Sequence, residues 1–231
     1  MIINFEKKYI FVRSHKVAST SLMSSIIEAE TKSENILRIG SFYNQNPLIY
    51  VFGLDPKKDF PGKSHFSIDE IRKSFSDDVF KDFYKFGVIR NPYTHAVSRF
   101  LYEEIIAKRK IKNFFRATPR SKISLVKSIL MIPNNRVIFR FFIKNLLLGQ
   151  HKFLGNDLDE FNLLLRFENL EQDIKILQKD LGIKLQMKHL NINVNKNTMK
   201  YVKKLYDDET KELIYQQNKQ IIKKFNYEFP C

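Results

Sequence analysis

At 231 residues, 43% hydrophobic and 28% charged, the chain is long enough to bury one sizeable core and too apolar to be disordered. Its formal net charge of +15 favours an anionic partner, whether nucleotide, nucleic acid, membrane surface or acidic polymer, without choosing among them; plain solubility is served as well. The single cysteine, Cys231, excludes an internal disulfide and a thiolate metal cluster.

The opening Met1–Glu6 lacks the charged and apolar regions of a signal peptide. The most apolar later stretch, Val137–Leu148, is interrupted by Arg140 and Lys144 and is too short to span a bilayer. The expectation is a soluble cytoplasmic protein. No internal repeat or Gly/Ser linker divides the chain, which reads as one domain over 1–231. Tyr9-Ile10-Phe11-Val12 is a β-prone run suited to a buried strand. A polar turn at Ser14–Lys16 follows, and then Leu22, Ile26 and Ile27 mark one face of a helix over Ser19–Glu30. A second strand is expected at Leu48–Phe52, and Ser67 with Glu70 forms a capping box opening a helix over Ile68–Phe75.

Phe86-Gly87-Val88-Ile89 reads as the central strand. Asn91 then stands as N-cap and Pro92 at the first helical position of a helix running to about Lys108. No acidic residue occurs from Ile105 to Asn156, so the stretch at about 108–152 reads as a basic helical insert, with helices at Ser121–Met131 and Asn135–Leu147. Its Phe114, Phe115, Phe139, Phe141 and Phe142 are expected in the core. A strand at Leu163–Phe167 leads into a helix at Leu170–Leu181, stopped by Gly182, and a last amphipathic helix covers Asp207–Phe225. Strands alternating with helices predict an α/β fold with a mainly parallel sheet flanked by helices.

Three constellations carry candidate chemistry. The first is His15-Lys16-Val17-Ala18-Ser19-Thr20-Ser21, at a strand-to-helix junction. Helix N-terminal amides and the helix dipole make such a turn an anion site, to which Lys16 adds a mobile charge and Thr20 and Ser21 hydroxyls. It is not a nucleoside triphosphatase loop, because no Gly-x-x-x-x-Gly-Lys is present. The plainer reading is an ordinary capped helix. The second is Arg90-Asn91-Pro92-Tyr93 through Ser98, where Arg90 leaves the C-terminal end of a strand, the edge at which open α/β sheets bind ligands. Asn91 and Ser98 are seven residues apart, two helical turns, so they share a helix face. A capped helix with a surface Arg remains the alternative. The third is Lys63-Ser64-His65-Phe66-Ser67, whose imidazole is either a base or part of a helix cap.

Taken together, these motifs resemble the sulfotransferases that use 3′-phosphoadenosine 5′-phosphosulfate (PAPS), most closely the carbohydrate sulfotransferases and their short bacterial relatives. The resemblance continues through Arg166-Phe167-Glu168-Asn169-Leu170, Leu181-Gly182-Ile183, His189-Leu190-Asn191 and Phe225-Asn226-Tyr227. It implies a P-loop-like phosphate-binding loop after the first strand, with Lys16, Val17, Ala18, Ser19, Thr20 and Ser21 on the 5′-phosphosulfate. Arg90 and Ser98 are implied to hold the 3′-phosphate, and His65 to act as general base. Lys16 would offset charge on the bridging oxygen. Glu168 is implied to be structural support. The donor would be PAPS and the product 3′-phosphoadenosine 5′-phosphate, with no metal required. The acceptor would be a hydroxylated, anionic carbohydrate and not a nucleic acid. Two departures stand out: His15 replaces the family's usual proline, and Thr94-His95 its frequent Asp-Arg. The alternatives are a nucleic-acid or polyanion-binding module, which leaves the Lys16 and Arg90 motifs unexplained, and a sulfotransferase-like protein that binds nucleotide without turnover.

Overall fold

The computed structural model describes residues 1–31, 38–39, 49–51, 65–74, 77–114, 136–147, 149–187 and 192–230. The expected helix Ser121–Met131, Phe115 and the resembling His189–Asn191 lie outside the described residues. The chain packs as two compact units, residues 1–90 with 150–190 and residues 91–149 with 191–231.

The first unit is α/β. Strands β1 (Ile2–Asn4), β2 (Tyr9–Val12), β3 (Arg38–Ile39), β4 (Ile49–Val51), β5 (Tyr84–Ile89) and β6 (Leu163–Arg166) form one sheet in the order β3-β4-β1-β2-β5-β6. β2 pairs parallel with β5, β5 with β6 and β3 with β4, whereas β1 runs antiparallel to both its neighbours, β2 and β4. Five of the six strands therefore run one way and β1 alone opposes them, so the sheet is mixed but mainly parallel. The reason is local: Asn4 and Tyr9 are joined by a tight turn with Lys8 at φ 50°, so β1 folds back on β2 as a hairpin. Because β1 precedes it, the loop expected after the first strand follows the second.

Every residue of β2 is buried, as a run of Tyr, Ile, Phe and Val on a strand covered on both faces should be. Helix α1 (Ser19–Thr31) lays Leu22, Met23 and Ile26 against Ile2, Tyr9, Phe11, Phe86 and Val88. Its far end is anchored by Glu30, 1% exposed, which accepts hydrogen bonds from Asn4 Nδ2 (3.3 Å) and Tyr9 OH (3.0 Å) and faces Lys7 Nζ at 3.3 Å. Helices α2 (Ile68–Ser74) and α3 (Asp77–Asp82) precede β5. Lys85, buried in β5, donates to the carbonyls of Phe80 and Phe83 at 2.7 and 2.8 Å and so closes α3. On the same strand face as Lys85, a Cβ at Gly87 would stand 3.1 Å from Leu154, which is why β5 has no side chain there.

The second unit is helical among its described residues: α4 (Pro92–Phe114), α5 (Arg136–Asn145), α8 (Ile192–Leu205) and α9 (Asp208–Phe225), with the short α6 (His151–Leu154) and α7 (Leu170–Leu181) belonging to the first unit. Phe139, Phe142 and Ile143 share one face of α5 and pack with Val97, Phe100, Tyr206 and Ile214 in an aromatic-rich core. Phe141 departs from expectation: it is 53% exposed, on the opposite face. α7 ends at Leu181 as expected, with Gly182 at φ 63° donating to the Gln178 carbonyl.

Candidate functional site

The connection from β2 runs through α1 to the β3 and β4 side of the sheet, while β5 leads on to β6 on the opposite side. The C-terminal ends of β2 and β5 are thus a topological switch point, where open α/β sheets form their ligand crevices. The residues leaving those two ends are Arg13–Ala18 and Arg90.

The loop before α1 is held in an unusual conformation. Lys16 has φ 58° and Ala18 φ 61°, both left-handed, with Val17 between them on the ordinary side. Each left-handed non-glycine residue costs about 1–2 kcal/mol, and such strain persists only where its surroundings enforce it. Those surroundings are specific. Ser14 Oγ donates to the Val88 carbonyl at 3.0 Å, Ser19 Oγ donates to the Ser14 carbonyl at 2.7 Å, and Arg13 Nη2 donates to Thr20 Oγ1 at 3.0 Å. Alternating φ signs in successive residues turn backbone N–H groups toward one concavity, an anion-binding arrangement. It adjoins the first turn of α1, where Leu22 N donates to the Ala18 carbonyl at 3.1 Å.

Arg90 is 2% exposed. Its Nη1 donates to the Lys16 carbonyl at 3.2 Å, and its guanidinium lies 4.4 Å above the Phe167 ring. Both backbone groups of Arg90 are taken by one side chain: Arg90 N donates to Gln150 Oε1 at 2.8 Å, and Gln150 Nε2 donates to the Arg90 carbonyl at 2.7 Å. Gln150 is fully buried. The sequence motifs missed it, since an isolated Gln in a basic stretch has no pattern to mark it. Phe167 was visible as part of the resembling stretch, though not as a platform for Arg90.

His65 lies against the same loop. Its Nδ1 is 3.4 Å from the Arg13 carbonyl, and its ring centroid is 3.8 Å from that of His15. It does not cap α2. Ser67 does: Ser67 N donates to Glu70 Oε2 at 2.9 Å and Glu70 N donates to Ser67 Oγ at 3.2 Å, the reciprocal box expected from sequence. Burial, then the neighbouring His15 and the Arg13 guanidinium, push the His65 imidazole down to about 3. Titration near 6.5, the value for a solvated imidazole, does not apply in this setting.

The remaining candidates are placed as follows. Val17 is fully buried with its side chain in the first unit's core, so only its backbone can meet a ligand. Ser19 is 4% exposed, whereas Thr20 is exposed and Ser21 half-buried. Glu168 sits exposed in a 3₁₀ turn at Phe167–Asn169. Ser98 belongs to the second unit, on α4; it is 3% exposed and its Oγ has no hydrogen-bond partner among the described residues. In the same unit Asn91 caps α4, its Oδ1 accepting from Tyr93 N at 3.0 Å, and His95 is buried with its amide donating to the Asn91 carbonyl.

A separate cavity of about 290 Å³ lies along α1 beside Ser25, Glu28 and Ala29, facing Gly182–Lys184, and holds none of the sequence candidates. Among the described residues no helix is long and apolar enough to cross a membrane, and no group of three or more His, Cys, Asp or Glu could hold a metal. Comparison with family models, with curated proteins and with solved structures finds no match for this chain.

Proposed function

We propose that the chain is a cytoplasmic PAPS-dependent sulfotransferase that sulfonates a hydroxyl of an anionic carbohydrate. The observation that carries this reading is convergence. Three motifs separated by about 50 and 25 residues in sequence meet at the one strained loop, through Arg90 on the Lys16 carbonyl and His65 on the Arg13 carbonyl. An isolated capped helix needs neither contact.

The residues fit the donor in one respect: the left-handed Lys16 and Ala18 give the loop the alternating backbone that favours an anion. PAPS supplies the sulfonate and a leaving group whose bridging oxygen gains negative charge. Lys16 and the first-turn amides of α1 would hold the 5′ end and stabilise that charge where it develops. Arg90 would hold the 3′-phosphate. His65 would take the acceptor's hydroxyl proton. The scheme needs no metal.

Calorimetry with 3′-phosphoadenosine 5′-phosphate and with AMP tests the site, and labelled PAPS with a panel of glycans, lipids and small alcohols tests the reaction. Binding of the bisphosphate tighter than AMP is expected; equal affinities overturn the assignment of Arg90. A polyanion-binding module is the second reading, favoured by the basic excess of residues 91–149 and 191–231. It predicts salt-dependent polyanion binding by a chain that ignores PAPS.

A further inference from the structure

We propose that His15 is the positioning residue for His65, holding the imidazole so that Nδ1 carries the proton and Nε2 is the basic atom. The inference rests on the sulfotransferase reading for its consequence in catalysis, though not for its geometry.

A backbone carbonyl has no proton to give, so in the contact of 3.4 Å between His65 Nδ1 and the Arg13 carbonyl the imidazole is the donor. A neutral imidazole has one N–H; with Nδ1 protonated, Nε2 bears the lone pair. At 3.4 Å that hydrogen bond is long and weak, and alone it would not fix the ring. Packing supplies the rest. The His15 and His65 rings are tilted by 42° with centroids 3.8 Å apart, and Phe153, 9% exposed, closes the flank of both at 5.0 and 5.7 Å. His15 is also covalently part of the loop, one residue before the left-handed Lys16. Loop and base therefore move as one body, and any side chain without a flat ring at residue 15 removes that link.

Among the described residues, the charged and titratable groups facing His65 are Arg13 and His15 from the loop and the amino terminus at Met1, while Phe153 contributes an apolar face. Burial is the largest effect against an imidazolium, followed by His15 and the Arg13 guanidinium, and together they outweigh the hydrogen bond to the Arg13 carbonyl, so the ring stays neutral in the free protein.

The test compares His15→Ala, His15→Leu and His15→Phe by ¹⁵N NMR of the His65 ring in the free protein, with turnover measured separately. Wild type and His15→Phe should show a single Nδ1–H tautomer. His15→Ala and His15→Leu should show a tautomer mixture and a His65 titration moved up toward the solvated value. In those two variants kcat should fall by up to about 100-fold, as expected for a misplaced reacting group, with KM for PAPS unchanged and with recovery in His15→Phe. If His15→Ala fails to fold, His15→Leu, which keeps the volume but not the flat ring, decides. An unchanged tautomer and titration in folded His15→Leu overturns the proposal. Tautomer loss rescued by Phe, in a wild-type protein that never turns over PAPS, upholds the positioning role and overturns the sulfotransferase reading instead.

Discussion

Of the 40 Lys and Arg in the chain, the first unit holds 20 beside 18 acidic residues, whereas the second holds 20 beside only 7, so nearly all of the +15 belongs to the second. The candidate chemistry is distributed the other way. Lys16, His65 and Arg90 all lie in the nearly neutral unit, where Arg13, Arg90, Lys85 and Glu30 are each less than 10% exposed and in defined contacts. In the second unit the acids serve surface pairs: Arg140 meets both Asp207 and Glu209, Lys144 meets Glu209, and Lys211 meets Asp208. A net charge acts at long range and is screened by salt; a buried charge with named partners acts at one place. The two properties are separable here, and mutations should separate them.

The largest expected effect is in the first unit. His65→Ala should fold, bind the bisphosphate with near-native affinity and lose about 10²–10⁴-fold in rate, the usual cost of removing a general base. Single-turnover kinetics at saturating PAPS, paired with a melting curve, reads both properties. Full activity in the folded variant would transfer the role of base to another residue. The second unit should respond in stability instead. Phe139, fully buried with Phe100 and Tyr206 at 5.2 and 5.0 Å, should cost about 3–5 kcal/mol when cut to alanine. Urea unfolding measures it. If Phe139→Ala abolished bisphosphate binding in a still-folded protein, the separation of roles would be lost.

A smaller effect follows from pH. His65 is neutral in the folded chain down to about 3 but becomes charged below about 6.5 when unfolded. Between those values the unfolded state binds the additional proton, so stability falls as pH falls from about 6.5 toward about 3. His151, lowered chiefly by burial and then by Lys152, adds in the same direction. His65→Gln should reduce the slope of unfolding free energy against pH in that window without removing it. An unchanged slope would mean that His65 is not buried in solution.

How much of this was legible in the sequence varies with the range of the interaction. Local signals were read well: the Ser67 box, the Asn91 cap, the Gly182 stop and the run of buried residues in β2 are all set by neighbours in the chain. β1 went unread because three residues have too little periodicity to announce a strand; pairing with β2 and β4 makes it one. In the site, the motifs named Lys16, His65 and Arg90, but not the contacts that join them. Gln150 lies 60 residues beyond Arg90 and pairs with its backbone, which leaves no trace in spacing. The depressed basicity of His65 likewise comes from burial and from His15, neither of which a lone His-Phe-Ser suggests.

The smallest effect concerns what the few acids of the second unit do. Asp207 caps α9: its Oδ1 accepts from Thr210 N at 2.9 Å, Thr210 Oγ1 accepts from Asp207 N at 2.9 Å, and Arg140 Nη2 donates to Oδ2 at 2.6 Å. Burial opposes its ionisation, but the Thr210 amide and hydroxyl and then Arg140 outweigh it and hold the carboxyl down to about 2. Glu209 touches the same arginine but caps nothing and is 45% exposed. Asp207→Ala should therefore cost about 1 kcal/mol, the usual value of an N-cap, and retain most of that cost in 1 M salt, because a capping hydrogen bond is short-ranged. Glu209→Ala should cost less than about 0.5 kcal/mol and become neutral in salt, as exposed pairs do. Urea melts of both variants at low and high ionic strength make the comparison. Equal costs that vanish together in salt would show that Asp207 acts only as one more counter-charge in a basic unit. A salt-resistant gap would show that even there the few acids act through local geometry.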